Sequence, residues 1–350
     1  MAEELSDRQK AILRSIVDHF IATGEPVASR HLAKDHGVDL SASSIRNLMS
    51  DLEDSGYLTQ PHTSAGRMPT DKGYRLFVNS LMRVIPLTQD EQQSIREHLD
   101  QILEPDELLH HTAKLLGMIS HHLSVVSAPH LRAGTLERLE LIGVSPKKIL
   151  IILTIKSGLV KTITMEVATE IPREKLEQVS ACLNERVSGL TLQVIRDTFA
   201  ERVWDYRDEK TGLINLFIQS ADKIFDDLRE REKLHIGGTQ TLLEQREYED
   251  RENARSLIEL INDEDTIVDV LERDEPAPTE DGVAISIGKE HGERKLDNYS
   301  TIVTHYKVGN VSGDIGVIGT RRMNYRRVIP LLHFVARQLS STLNKEKSNE

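Results

Sequence analysis

Apolar residues fall at helical spacing through most of the first eighty positions. Ile12, Leu13, Ile16, Val17 and Phe20 form one stripe, which predicts a helix capped by Ser6 or Asp7 and stopped at Thr23-Gly24. Beyond Glu25-Pro26 the pattern predicts a short helix from Ser29 to His36, with Leu32 and Ala33 inward, closed by Gly37. Val38-Asp39-Leu40 then makes a turn. In the next stretch, Ser41 to Leu58, Ile45, Leu48, Met49 and Leu52 share one helical face. Ser43, Arg46, Asn47 and Ser50 share the opposite one. Ser41 or Ser43 caps this helix, and Gly56 suits the left-handed residue that ends it. Tyr57 to Gln60 reads as a brief strand, and Pro61 to Pro69 as a proline-bracketed loop. Thr70 caps a further helix that packs through Tyr74, Phe77, Val78 and Leu81.

Three helices with a tight turn between the second and third make a helix-turn-helix, and the strand and loop after them make a wing. An ordinary surface helix would be just as amphipathic, so the polar face has to carry the argument. Arg reads guanine and Asn reads adenine through paired hydrogen bonds in the major groove. The candidate contacts from the helix are therefore Ser41, Ser43, Ser44, Arg46, Asn47 and Ser50. Asp51, Glu53 and Asp54 lie at the far end, away from the first turn. In the loop, Gly66-Arg67 is expected at the tip, where a guanidinium can enter a minor groove or meet phosphate. His62, Thr63 and Ser64 add small donors for phosphate oxygens.

Downstream, Thr88 to Leu103 predicts a linker helix closed by Glu104-Pro105, and Asp106 to Val126 a second helix. Strand patterns follow at Leu139–Val144, Ile149–Ile155 and Leu159–Val167, and a helix from Pro172 to Val187. Strands return at Val283–Ile287, Thr301–Lys307 and Asp314–Ile318, before a final amphipathic helix from Tyr325 to Leu343. A sheet split around a long charged middle section predicts one α/β domain carrying an insertion.

Composition narrows the function. The 350 residues carry a net charge of −12, which argues against indiscriminate nucleic-acid coating. Residues 1–84 hold ten Lys/Arg against eleven Asp/Glu, so any DNA contact must be local and geometric. The single cysteine, Cys182, excludes an internal disulfide and a Cys-based metal cluster. It sits in a helical pattern and reads as a small core residue. The polar start MAEELSDRQ is not a signal peptide, and the aliphatic run Ile149 to Leu153 is far too short to span a bilayer. The reading is a soluble cytoplasmic protein. Two histidine pairs, His110-His111 and His121-His122, lack companion ligands at metal spacing, and no metal or cofactor is expected. Gly309, Gly313, Gly316 and Gly319 match no phosphate-binding spacing and read as a hairpin turn followed by a strand. No nucleophile elbow, metal quartet or Walker loop points to an enzyme.

The stretches LSDRQKAILRSIVDHFIATGEPVASRHL, SASSIRNLMSDLEDSGYL and PHTSAGRMPTDKGYR, covering residues 5 to 75, resemble the HrcA family of heat-inducible transcription repressors. IGGTQTLLEQREY, ISIGKEHG and GDIGVIGTRRMNYRRVIPLL extend the resemblance to the C-terminal half. The chain departs from the family pattern at Ala28, Leu48, Thr320, Arg321 and Asn324. The resemblance implies a homodimer on an inverted-repeat operator of chaperone genes, assisted by a GroEL-type chaperonin. It also implies an α+β multidomain architecture: a winged helix-turn-helix over 1–84, a linker helix over 85–105, and a GAF-like domain in two segments, 106–190 and 251–350. The dimerising insert is expected at 191–250. The alternative is a regulator gated by a small molecule in the GAF-like pocket.

Overall fold

The computed structural model describes residues 5–33, 40–62, 65–206, 212–225, 234–245, 248–273 and 282–345. Helix α1 (Asp7–Thr23) starts on a capping box in which Ser6 and Gln9 exchange hydrogen bonds, and ends at the left-handed Gly24. Helices α2 (Ser29–Leu32) and α3 (Ala42–Asp54) pack on it through Ile12, Ile16, Leu32, Ile45, Met49 and Leu52. The turn expected at 38–40 and the expected continuation of the second helix to His36 fall largely outside the described residues. A two-stranded antiparallel ribbon follows, β1 (Leu58–Thr59) with β2 (Met68–Pro69). Helix α4 (Asp71–Leu76), capped by Thr70, runs on into a π turn at Phe77–Leu81.

The expected linker helix, α5 (Gln89–Leu99), is docked rather than free. Its end residue Asp100 accepts from Thr342 at 2.8 Å and Gln338 at 3.1 Å on the last helix, α14 (Tyr325–Lys345). Helix α6 (Pro105–Ser120) is shorter than predicted. His121 takes a left-handed conformation, φ 58°, and the chain turns into strand β3 (Leu123–Ser127). The apolar run that extended the helical reading is fully buried in mid-sheet, where a strand pairs on both edges.

Beyond β3 the chain leaves for a separate unit. Strands β4 (Leu136–Ser145), β5 (Lys148–Ile155) and β6 (Val160–Glu166) form their own antiparallel sheet. Helices α7 (Arg173–Val187), α8 (Leu192–Arg202), α9 (Leu213–Gln219) and α10 (Ala221–Phe225) complete it. Its hydrophobic core is distinct and holds Leu139, Ile151, Leu183, Phe199 and Phe217. The chain re-enters at β7 (Leu234–Gly237), which pairs with β3 so that Leu234 faces Ser127. The insert is therefore the excursion of a β-hairpin, 128–233, a connection that tolerates insertion because its two ends are adjacent. This corrects two expectations. The insert does not sit at 191–250, and β4 to β6 do not belong to the split sheet.

The main sheet is five-stranded and antiparallel throughout, in the order β7-β3-β10-β9-β8. Its remaining strands are β8 (Ala284–Ile287), β9 (Tyr299–Val308) and β10 (Val311–Thr320). Strand β7 has too few alternating positions to be visible in the sequence. Helices α6 and α14 cover one face, and Ile302, Tyr306, Ile315 and Leu332 join the core under the N-terminal helices. After the short α11 (Thr239–Leu243), helices α12 (Arg251–Ile261) and α13 (Glu264–Arg273) cover the other face, over Val125, Val303 and Ile318. Gly309 turns the β9–β10 hairpin at φ 61°, while a Cβ on Gly313 would stand 2.5 Å from the Tyr306 ring.

Candidate nucleic-acid interface

Residues Ser43, Arg46, Asn47 and Ser50 follow one another at helical spacing along α3, and all four are exposed. The opposite face is anchored by buried Ile45, Met49 and Leu52, with Leu48 half-buried beside them. Core packing thus fixes the rotation of α3, and with it the direction in which the polar row points. Ser41 supplies the cap: its hydroxyl accepts from the Ser44 N–H at 3.1 Å and lies 3.0 Å from the Ser44 hydroxyl. Those two serines serve first to begin the helix, although both stay exposed.

The loop differs from expectation. Gly66-Arg67 is at its base, not its tip. Arg67 and Val27 exchange backbone hydrogen bonds of 2.8 and 2.9 Å, which adds the α1–α2 connection to the ribbon as a third edge. A Cβ on Gly66 would lie 2.4 Å from the Val27 backbone, so glycine is the residue this contact admits. The Arg67 guanidinium turns back to Glu53 on α3 at 2.8 Å. A carboxylate in range captures it more readily than open solvent, and the pair braces the ribbon against the helix. His62 is exposed, and Gln60 steadies the loop by donating to the Ala65 carbonyl at 2.8 Å. Thr63 and Ser64 lie outside the described residues.

Between ribbon and helices lies a recess of about 570 Å³, lined by Ser29, Arg30, Arg46, Gln60 and Arg67 among others. Arg30 had not been singled out from the sequence. It stands on α2, the helix just before the one that carries Arg46, and nothing in a four-residue helix marks its outward direction. Three arginines and no carboxylate line the recess, Arg67 being paired with Glu53 on α3, which makes it a cationic concavity on a chain of net negative charge.

The N-terminal helices are held to the main sheet by a row of ion pairs. Arg321 donates to Asp71 at 2.8 Å, Arg326 to Asp18 at 2.7 Å, and Arg75 binds Glu290. Arg327 pairs with Glu91 on α5. Burial pushes the Asp18 carboxyl above its usual range, against the pull of Arg326 and Arg14. His122 is buried behind the sheet and pushed down to about 4 by burial, His121 and Arg322, so it is neutral at pH 7. Among the described residues, no cluster of side chains could hold a metal ion. No helix among them is long and apolar enough to cross a membrane.

A family model described as the HrcA protein C-terminal domain matches residues 106–329. The heat-inducible transcription repressor HrcA of Chlorobium phaeobacteroides (strain BS1) is 39% identical, the match covering 98% of this chain and all of that protein. The chain belongs to the HrcA family. The protein of the same name from Prosthecochloris aestuarii is also 39% identical, over 97% of this chain and 98% of its own. HrcA members are named as transcription repressors that respond to heat, and repression of transcription is the family's role. A crystal structure titled only as a hypothetical protein shares the fold, with a TM-score of 0.57 at 23% identity over 98% of this chain and 99% of that one. This HrcA chain therefore places α3 and the β1–β2 ribbon ahead of the region that the family model spans.

Proposed function

We propose that the chain represses chaperone operons by binding an inverted-repeat operator as a homodimer. In this reading residues 5–81 are a winged helix-turn-helix and the five-stranded sheet is a GAF-like domain. The observation that carries it is the exposed row Ser43, Arg46, Asn47 and Ser50, held outward by the buried face of α3. The N-terminal turn of α3 enters the major groove. Arg46 and Asn47 read base edges, Ser41, Ser43, Ser44 and Ser50 meet phosphate or base edges, and Arg30 meets the backbone. His62, Thr63, Ser64 and Gly66 border the duplex from the loop. Arg67 reaches DNA only by releasing Glu53.

A dimer is required because one recognition helix reads too few base pairs, and twofold proteins match twofold sites. The insert offers the surface. Its three-stranded sheet buries one face under α7, while Ile142, Val144 and Val160 are 48%, 62% and 56% exposed. Half-buried Leu150 and Ile152 lie on the same open face, since Ile142 pairs with Leu150 in register. A patch of this kind on a soluble domain marks a partner surface. Assistance by a GroEL-type chaperonin is proposed on the family resemblance.

Selection of bound duplexes from random DNA, with and without chaperonin, tests the reading. An inverted repeat should emerge, more strongly with chaperonin present. Arg46→Ala and Asn47→Ala should each weaken the selected site by about 1–3 kcal/mol and relax base preference. Wild-type affinity in both variants removes α3 from the groove.

A further inference from the structure

Of the three arginines around the cationic recess, Arg67 alone is held by a carboxylate. Its guanidinium meets Glu53, one residue from the end of α3, at 2.8 Å. Arg30 and Arg46 are exposed, and neither takes part in an ion pair among the described residues. Asp51 and Asp54, the acidic neighbours of Glu53 on α3, are exposed as well. One carboxylate thus decides whether the recess acts with two guanidiniums or with three.

The ribbon does not need this pair to keep its place. The main chain of Arg67 is anchored by its two hydrogen bonds with Val27, and Gly66 lies flat against the Val27 backbone. Gln60 ties the loop to the Ala65 carbonyl, and the Thr70 hydroxyl donates to the Gly56 carbonyl at 2.7 Å. The Arg67 side chain can therefore turn about a fixed backbone. The side chains of the pair keep 20% and 31% of their exposure, and ion pairs so open to water contribute little stability. Repulsion from Arg30 and Arg46 favours Glu53 as the partner while the recess is empty, and an arriving anion reverses that preference.

We infer that Glu53 is an electrostatic gate on DNA affinity, an inference that rests on the reading of this recess as the DNA-facing side. A backbone phosphate entering between Arg30 and Arg46 competes with Glu53 for Arg67. The guanidinium then swings from carboxylate to phosphate. A duplex that does not seat in the recess never makes the exchange and loses that contact. Glu53 thereby lowers the affinity for loosely held DNA without touching a base.

The test measures binding of the full-length chain to a labelled mixed-sequence duplex over a range of salt. Glu53→Gln should bind about two- to fivefold tighter, the release of one part-exposed pair. Arg67→Ala should weaken binding and lower the slope of log affinity on log salt by about one. Glu53→Gln placed on top of Arg67→Ala should add nothing, because the carboxylate acts through that guanidinium. Asp54→Asn, which removes an equal charge from the same helix end, should change affinity less than Glu53→Gln does. Weaker binding by a folded Glu53→Gln would make the pair a brace and overturn the gate. An unchanged slope in Arg67→Ala, or a full gain from Glu53→Gln without Arg67, would overturn it as well. Should Arg30→Ala and Arg46→Ala weaken binding while Glu53→Gln does not alter it, the gate fails and the DNA reading stands. A chain whose affinity ignores all three arginines removes both.

Discussion

The N-terminal helices and the insert are attached to the same five-stranded sheet in opposite ways. The helices share one continuous hydrophobic core with it, from Ile12 and Leu52 through Met323 to Leu332, and ion pairs from Asp18, Asp71 and Arg75 run along the seam. The insert keeps a core of its own and, among the described residues, meets the sheet where it leaves it, His130 donating its backbone N–H to the Ser312 carbonyl. One attachment fixes an orientation, and the other supplies an independent body with an open apolar face. The proposed function uses both: α3 set at a defined angle, and a surface through which two copies would reach one operator. The difference also separates what mutations should do.

The largest effect is expected in the insert core. Phe217 is fully buried and its ring centre lies 6.3 Å from that of Phe199. Phe217→Ala should cost about 3–5 kcal/mol by cavity formation. Hydrogen exchange should then show β4 to β6 losing protection while β9 and β10 keep theirs. A uniform loss across both sheets would mean that the two cores unfold as one.

At the root of the insert, Asp314 joins His130 at 2.7 Å and His305 at 2.6 Å. Burial alone would raise its carboxyl. The hydrogen bonds and charges of the two histidines outweigh that and hold it below the usual carboxylate range. A depressed carboxylate stabilises the fold above its unfolded value of 3.8, and the contribution fades as pH falls through the lower folded value. Asp314→Asn should cost about 1.5–3 kcal/mol near neutral pH. It should also flatten acid unfolding below pH ~4. Melting curves from pH 3 to 7 check this, and parallel profiles for the two proteins would remove Asp314 from the balance.

The open face of the insert gives a smaller and different signal. Ile142→Lys should leave the melting of each protomer within about 0.5 kcal/mol, because the side chain is exposed. In sedimentation it should shift the monomer–dimer balance toward monomer by tenfold or more. An unchanged balance would place the dimer surface elsewhere. Smallest is the helix start: Ser41→Ala removes the acceptor for the Ser44 N–H and should cost about 1 kcal/mol in thermal unfolding. A larger loss would show that Ser41 has a second task.

Much of the N-terminal unit was legible because its signals are local. Caps at Ser6, Ser41 and Thr70, stops at Gly24 and Gly56, and the spacing of Ile45, Met49 and Leu52 all act within one or two helical turns. The polar row on α3 follows from the same spacing. The direction of Arg67 was not legible, since it depends on a carboxylate fourteen positions earlier and on a backbone pairing with Val27. The strand at Leu123–Ser127 was misread as helix because a fully buried strand loses the alternation that identifies it.

The amino-acid sequence by itself determined where α1, α3, α7 and α14 start and stop, and which side of α3 is polar. It did so through propensity, capping and periodicity, which need no distant partner. The tertiary structure alone decided that β4 to β6 leave the main sheet, that β7 closes a hairpin across more than a hundred residues, and that Arg321 pairs with Asp71. Those arrangements depend on pairing and packing between segments far apart in the chain, where many registers satisfy the local pattern and only one buries every face at once.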